Sequence, residues 1–191
     1  MNSRSAILLC LALGCPLLGC KRSEQAPPPP PPPPGTPAAA IPAPPPAPGE
    51  IQRRIAAEEQ VVAQEPRNVR AWVDLGNDYF DTRQPQKAID AYGKALEIQP
   101  DNPDVLTDQG VMYRDLGAYD KAILNFKKAN EIDPKHVQSA FNLGVVYAHD
   151  LKDTAKAIQA WNRIIDIAPA SREAAQARQA IEEIQGRPAA R

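Results

Sequence analysis

The stretch that decides the fold of this chain is Trp72-Val73-Asp74-Leu75-Gly76-Asn77-Asp78-Tyr79. Its glycine recurs at positions 110 and 144, and its tyrosine recurs at positions 113 and 147. Proline keeps the same interval at positions 66, 100 and 134, and another proline follows at position 169. A period of this length predicts a solenoid of helix pairs, because one pair cannot bury its apolar face unless it stacks on a neighbour.

Each unit has the pattern of two packed helices. A first helix is predicted over residues 68–81, where four residues share one helical face: Trp72, Leu75, Gly76 and Tyr79. Because the glycine has no side chain, the second helix, at about residues 86–98, is expected to approach it closely, with Ala88 at the contact and Tyr92 one turn later. Pro100 cannot continue a helix, so the second helix is expected to end before it.

The next two units repeat these positions with two deviations. The shared positions are Leu106, Gly110, Tyr113, Ala122, Phe126, Ala129 and Pro134 in the second unit and Ala140, Leu143, Gly144, Tyr147, Ala157, Trp161 and Pro169 in the third. The third unit has one extra residue between Tyr147 and Ala157, which predicts a longer turn within residues 149–156. Gln109 replaces the leucine of the other units, which predicts a local weakening of the core.

This pattern resembles the tetratricopeptide repeat (TPR), whose motif the chain follows from Trp72 to Tyr79 and again at Ala88, Tyr92 and Pro100. Three copies stand in tandem with the same spacing, which makes the resemblance specific. It implies an all-α fold, a right-handed superhelical solenoid of three TPR helix pairs at residues 68–102, 103–136 and 137–170, with a preceding helix and a C-terminal capping helix.

The segments on either side of the repeats are expected to cap the solenoid. Residues 50–67 carry a thin apolar stripe of Ile51, Ile55 and Val62 in the register of a second helix, and so form half a repeat. Residues 171–191 begin with Ser171, a good N-cap, and are expected to form a capping helix and tail with a narrow apolar face and a charged outer face.

The N-terminal segment, residues 1–19, has the pattern of a secretion signal. Arg4 supplies a positive charge, and the apolar run at residues 6–18 is too short to span a membrane. The sequence Leu17-Leu18-Gly19-Cys20 resembles the bacterial lipobox, which implies cleavage before Cys20 and acylation of this cysteine. The alternatives are an ordinary secretory signal, in which Cys20 is incidental, and modification at Cys15.

The cysteine content fits such a lipid anchor in the bilayer. The chain has three cysteines, at positions 10, 15 and 20, so cleavage would remove two and acylation would use the third. The folded part would then hold no disulfide, no cysteine-based zinc site and no cysteine nucleophile, which suits an oxidising periplasm. Two or three acyl chains, each contributing about 0.8 kcal/mol per buried CH₂, would give stable anchoring.

Residues 20–49 are predicted to link the lipidated cysteine to the repeats as a proline-rich disordered or polyproline tether. The part at 27–48 holds 14 of the 22 prolines, eight of them consecutive. Polyproline II rises about 3.1 Å per residue, so this part could reach roughly 70 Å as a semi-rigid spacer. The alternative is a ligand for a proline-binding module.

The chain lacks the patterns expected for catalysis, metal binding or nucleic-acid binding. It has 22 basic and 23 acidic residues and no basic patch interleaved with aromatic residues. It contains no Gly-rich phosphate loop and no HExxH, CxxC or GxSxG motif. His136 and His149 lie at opposite ends of one predicted helix, so we expect two solvated histidines. We predict no enzyme activity, no cofactor, no metal, no nucleic-acid partner and no small-molecule substrate.

The TPR resemblance also implies where a partner would bind. In that family the first helices line a concave groove that receives a peptide or a partner helix. The corresponding residues here are Arg70, Val73, Asn77 and Phe80, then Asp104, Thr107, Asp108, Val111 and Arg114, then Gln138, Phe141, Asn142 and Val145. The alternative is that they are merely exposed helix positions.

The composition of these positions predicts the chemistry of the ligand. The cations by which some TPR proteins clamp a C-terminal carboxylate are absent, since Val73, Gln138 and Asn142 stand at their positions. Apolar and acidic side chains instead predict an extended or helical ligand with apolar anchors and some positive charge.

Together these patterns predict a protein-binding adaptor in the bacterial cell envelope. We expect it to be anchored by lipid in the outer membrane and to face the periplasm, because Lys21 is not the aspartate that favours inner-membrane retention in some enteric bacteria. Lipoproteins of this repeat type are similar to pilotins and to subunits of the barrel-assembly machine, which implies a role in envelope or pilus and secretion machinery assembly. The alternative is an accessory subunit that docks on a periplasmic redox or cell-wall enzyme.

Overall fold

The computed structural model describes residues 49–186, where the regular secondary structure is all helical, without strands. The helices are α1 Glu50–Gln64, α2 Val69–Asp81, α3 Pro85–Ile98, α4 Pro103–Asp115, α5 Tyr119–Ile132, α6 Val137–Val145, α7 Thr154–Ile167 and α8 Arg172–Ile184, and a π-helical segment, Val146–Asp150, follows α6 directly. The predicted signal segment, Cys20, the tether up to residue 48 and the tail at 187–191 lie outside the described residues.

The helices stack in chain order. Each helix packs against the helix before it and the helix after it, and contacts also join α4 to α6 and α6 to α8. The pairs α2–α3, α4–α5 and α6–α7 thus form the three repeats, with α1 before them and α8 after them. This arrangement confirms the predicted all-α solenoid. Within residues 49–186, no helix is both long enough and apolar enough to cross a membrane.

Side-chain caps begin several of these helices. The side chains of Asn68 and Asn102 accept the amide hydrogens of the residues three positions later, as Ser171 does at the start of α8. At α6 the cap is His136, whose Nδ1 accepts from the backbone amide of Ser139 at 3.3 Å. The expectation that His136 is a solvated histidine is therefore wrong, because its ring is a helix cap and is largely buried.

An aromatic ring of the second helix lies over each repeat's glycine. The pairs are Gly76 with Tyr92, Gly110 with Phe126 and Gly144 with Trp161. A Cβ atom added to Gly110 would lie 2.6 Å from Cε1 of Phe126, far inside van der Waals contact. The space at each glycine is thus filled by the ring, and Tyr92, Phe126 and Trp161 are almost fully buried.

Gln109 is buried and hydrogen-bonded to both neighbouring helices, α3 and α5. Its side chain is 7% exposed, yet both ends of the amide are bonded. Its Nε2 donates to the carbonyl of Ile89 at 3.0 Å, and its Oε1 accepts from Asn125 at 2.8 Å. Because a buried polar group is costly only when it lacks a partner, these two bonds correct the prediction of a weakened core.

The extra residue of the third repeat lies in the helix, so the prediction of a longer turn is wrong. All three pairs are joined by three residues, at 82–84, 116–118 and 151–153. In the first pair, the backbone amide of Gln84 donates to the carbonyl of Tyr79 at 2.9 Å. In the third pair, the amide of Asp153 donates to the carbonyl of the equivalent Tyr147 at 2.8 Å, although one more residue separates the two. The wider π-helical segment absorbs that residue and preserves the turn.

Candidate functional site

The predicted groove residues lie on the first helices of the three pairs, α2, α4 and α6. The exposed members are Arg70, Asn77, Asp104 and Gln138, and the half-buried members are Val73, Phe80, Asp108, Val111, Arg114, Phe141, Asn142 and Val145. Thr107 departs from the expectation, because it is 1% exposed and its hydroxyl donates to the carbonyl of Pro103 at 2.7 Å. Its side chain is therefore unavailable to a ligand.

Two neighbouring cavities give the groove its shape between the first and second repeats. One, of about 290 Å³, is lined by Asn77, Phe80, Asp81, Tyr92 and Asp108. The other, of about 350 Å³, shares Phe80 and Asp81 with it and extends along α4 past Val111 to Asp115. Phe80 and Val111 are thus the apolar floor of a surface edged by carboxylates and by Arg83.

Three groove carboxylates are not held in ion pairs. Asp81, Asp108 and Asp115 form no ion pair within the part of the chain that the structure describes. By contrast, Asp78 is 4% exposed and is paired with Arg54 of α1. The three carboxylates outnumber Arg83, the cation that lines the second cavity, so this surface attracts a positively charged ligand.

Asp108 has the most perturbed carboxyl group of the groove. Burial raises its pKa to about 6, and the nearby charge of Asp104 raises it further, while His136 acts in the opposite direction. His136 joins the second and third repeats: its Nδ1 accepts from the backbone amide of Ser139 at 3.3 Å, and its Nε2 lies 2.9 Å from Oδ1 of Asp104. Near pH 6 the groove therefore changes its charge at Asp108.

The third repeat contributes a different surface. The ring of Phe141 lies 6.1 Å from that of Trp161, and its carbonyl accepts from the Trp161 indole at 3.1 Å. Arg114, predicted as a groove residue, is bound to Asp150 of the π-helical segment at 2.5 Å. Since this pair neutralises Arg114, the carboxylates between the first and second repeats remain in excess over Arg83.

The sequence analysis missed several residues that line the groove. Asp81 and Asp115 stand one repeat period apart, at the ends of α2 and α4, so the period itself could have identified them. Tyr92 belongs to a second helix and reaches the groove because Gly76 leaves room for its ring. Its hydroxyl donates to Oδ1 of Asn77 at 2.9 Å, which holds that groove amide in place. No periodic signal predicts this contact.

Metal ligation is not supported by any cluster within residues 49–186, where no group of three or more histidine, cysteine, aspartate or glutamate side chains could hold an ion. His149 is exposed and lies in the π-helical segment, away from His136 at the start of α6.

The stacked helix pairs and their groove define the chain as a tetratricopeptide repeat protein. The model of the family described as the cytochrome c-type biogenesis protein H TPR domain matches residues 42–175. The chain belongs to this family. No curated protein matches the sequence significantly.

Solved structures share the fold. Two crystal structures of MamA are 25% identical to the chain, cover 72% of it, and are themselves covered to 80% and 75%, with TM-scores of 0.65 and 0.64. The first TPR of Spaghetti (RPAP3), bound to the HSP90 peptide SRMEEVD, is 21% identical with a TM-score of 0.56, over 62% of this chain and 93% of its own. The likeness to Spaghetti (RPAP3) shows the fold alone.

Proposed function

We propose that the chain is an adaptor that binds a polypeptide segment, with apolar and basic side chains, in the groove formed by α2 and α4. The observation that carries this proposal is the combination of Phe80 and Val111 with three carboxylates that form no ion pair among the described residues, Asp81, Asp108 and Asp115, and that outnumber the lining cation Arg83. Apolar anchors supply most of the binding energy of such interfaces, and complementary charge supplies specificity and rate of association.

The family description suggests the pathway. The description of the family names cytochrome c-type biogenesis. We propose that the segment bound here belongs to a polypeptide of that process. This narrows the expected role in envelope assembly and favours it over pilus or secretion machinery. It also makes a periplasmic redox enzyme the natural docking partner for the alternative role as an accessory subunit.

The proposal includes the lipid anchor predicted from the sequence. Acylated Cys20 would hold the chain at the outer membrane, facing the periplasm, and the proline-rich tether would keep the groove up to roughly 70 Å from the bilayer. The adaptor would then meet partners that are themselves attached to or near the envelope.

Reversing the groove charge tests the proposal. The full-length chain carrying Asp81→Lys and Asp115→Lys should bind a haem-free cytochrome c polypeptide at least tenfold more weakly than the unaltered chain, by fluorescence anisotropy. The matched control carries Glu131→Lys and Asp166→Lys, which change the same number of charges at the ends of α5 and α7.

The control should keep the affinity of the unaltered chain. Equal loss in both variants would show that only net charge matters, and unchanged affinity in the groove variant would remove the groove from the mechanism. A Phe80→Ala variant gives a second arm, because loss of this anchor should cost about 1 to 4 kcal/mol without altering charge.

A further inference from the structure

A separate cavity of about 300 Å³ lies between α5, α6 and α7 and shares no residue with the groove. Lys127 and Asn130 of α5, Leu143 of α6, Tyr147 of the π-helical segment, and Lys156 and Arg163 of α7 line it. The cavity therefore brings three cations together beside an amide, a phenol and an apolar wall.

The first repeat has a cavity at the equivalent place with different chemistry. Its volume is about 360 Å³, and Glu59 and Val62 of α1 stand there in the positions of Lys127 and Asn130, two repeat periods earlier in the chain. Glu59 accepts a hydrogen bond from the hydroxyl of Tyr79 at 2.5 Å. The cavity of the third repeat therefore has a cation, Lys127, where that of the first has an acid, and an amide, Asn130, where that of the first has an apolar residue.

Two of the three cations in this cavity lack a carboxylate. Lys156 forms an ion pair with Asp153 at 2.7 Å, and Arg163 donates to the carbonyl of Pro134 at 3.2 Å. The side chain of Lys127 makes no hydrogen bond or ion pair with any residue in the range 49–186. The cavity therefore offers uncompensated positive charge to an anion.

Asn130 adds an acceptor without a donor. Its side chain is 5% exposed, and its Nδ2 donates to the carbonyl of Phe126 at 2.9 Å. This bond fixes the orientation of the amide, because the reversed orientation would set oxygen against oxygen. Its Oδ1 is buried with no partner among the described residues. Such an atom calls for a donor from outside the chain.

We propose that this cavity binds a small carboxylate whose neighbouring carbon carries an O–H or N–H group, such as an α-hydroxy acid or an N-acylated amino acid. The carboxylate accepts from Lys127 and Arg163, and the neighbouring group donates to Oδ1 of Asn130. The apolar part of the ligand lies against Leu143. A free acid and the carboxyl terminus of a peptide share this chemistry.

A matched pair of ligands tests the donor. We would titrate 2-hydroxy-4-methylpentanoate and 4-methylpentanoate, which differ only in the hydroxyl group, against the full-length chain by ligand-observed NMR. The hydroxy acid should bind about threefold to tenfold more tightly. In Asn130→Leu, which introduces the residue found at the equivalent position 96, this preference should disappear while the acid without a hydroxyl binds as before.

A second pair of variants tests the charge. Lys127→Glu should weaken binding of both acids at least tenfold, and it should still fold, because Glu59 already occupies the equivalent position beside a tyrosine. Its helical circular dichroism and melting temperature check this. Lys128→Glu, an equal change of charge on the neighbouring exposed residue, should leave both affinities within twofold.

Several results would overturn the proposal. These are no preference for the hydroxy acid, equal weakening by Lys128→Glu, an unaffected Lys127→Glu variant, or competition by inorganic phosphate at the same concentration as the acids. N-acetyl-leucine and a hexapeptide that ends in leucine distinguish the two sources. Both should compete; tighter binding of the hexapeptide indicates a chain terminus, and equal binding indicates a free acid.

Discussion

At the scale of single residues, the positions that matter most are those where burial works against the chemistry of the side chain. Asp108 is a carboxyl group held among groove residues without a cation, and Asn130 is an amide whose oxygen has no donor. Both lie in cavities where a ligand could supply what is missing.

The first prediction concerns the pH dependence of stability at Asp108. Its pKa is about 6 in the folded chain, above the ordinary value of 3.8. The folded state therefore favours the protonated form, and the ionised form destabilises the fold as pH rises from about 4 through 6. Asp108→Asn should raise the free energy of unfolding by between about 1 and 3 kcal/mol at pH 7.5.

Urea unfolding at pH 4 and pH 7.5 measures this difference, which should be near zero at pH 4. The control is Asp120→Asn, which changes an exposed carboxyl group of α5. If the difference in the free energy of unfolding between Asp108→Asn and the unaltered chain does not grow with pH, the raised pKa of Asp108 is wrong. The same titration predicts that a basic ligand binds more tightly above pH 6, because its charge then meets ionised Asp108.

The second prediction concerns the glycines beneath the aromatic rings. Gly110→Leu places a side chain where a Cβ alone would lie 2.6 Å from Phe126, so it should lower the free energy of unfolding by about 1 to 3 kcal/mol. Gly93→Ala is the control, because a Cβ there meets only Gln109, at 3.5 Å, and should stabilise α3 by about 0.5 to 1 kcal/mol. If thermal melts show Gly110→Leu to be as stable as the unaltered chain, the packing role of this glycine is wrong.

At the scale of helices and turns, the three connections within the pairs share one backbone shape. The middle residue of each turn has a positive φ: 57° at Arg83, 72° at Gly117 and 58° at Lys152. Glycine tolerates this conformation, whereas a residue with a Cβ is strained in it. Among the three pairs, only the second has glycine, Gly117, at this position of its turn.

This common shape gives a third prediction. Gly117→Ala should lower the free energy of unfolding by about 1 kcal/mol, and Lys152→Gly should raise it by up to about 1 kcal/mol, because the first introduces αL strain and the second removes it. Chemical denaturation measures both. The free energy of unfolding should change in opposite directions in the two variants. A loss of stability in Lys152→Gly would contradict the prediction, because the side chain of Lys152 would then contribute more than its backbone strain costs.

At the scale of the whole molecule, the anchor and the groove are predicted to act together. Because acylation needs the thiol, Cys20→Ala should abolish labelling by a fatty acid and move the protein out of the membrane fraction, whereas Cys15→Ala should change neither. Metabolic labelling followed by fractionation measures this fourth prediction. Fatty acid retained on the Cys20→Ala protein would exclude Cys20 as the site.

Much of the fold could be predicted because its signals are local and periodic. The positions of Gly76, Tyr92 and Pro100 within one repeat already specify two helices, their contact and the end of the second. The groove was less accessible to prediction. Thr107 has the spacing of a groove residue but turns its hydroxyl to the carbonyl of Pro103, and the ion pair of Arg114 depends on Asp150, in the next repeat.

The sequence by itself determined the solenoid, since a regular period of helical stripes and small residues can bury its apolar faces only by stacking. The tertiary structure decided where the extra residue of the third repeat goes, because a longer turn and a π-helical segment have the same chain length and differ only in hydrogen bonding and packing. It also decided the unpaired groove carboxylates and the cationic cavity. Both depend on residues from several helices, and spacing along the chain does not specify which side chains find partners across them.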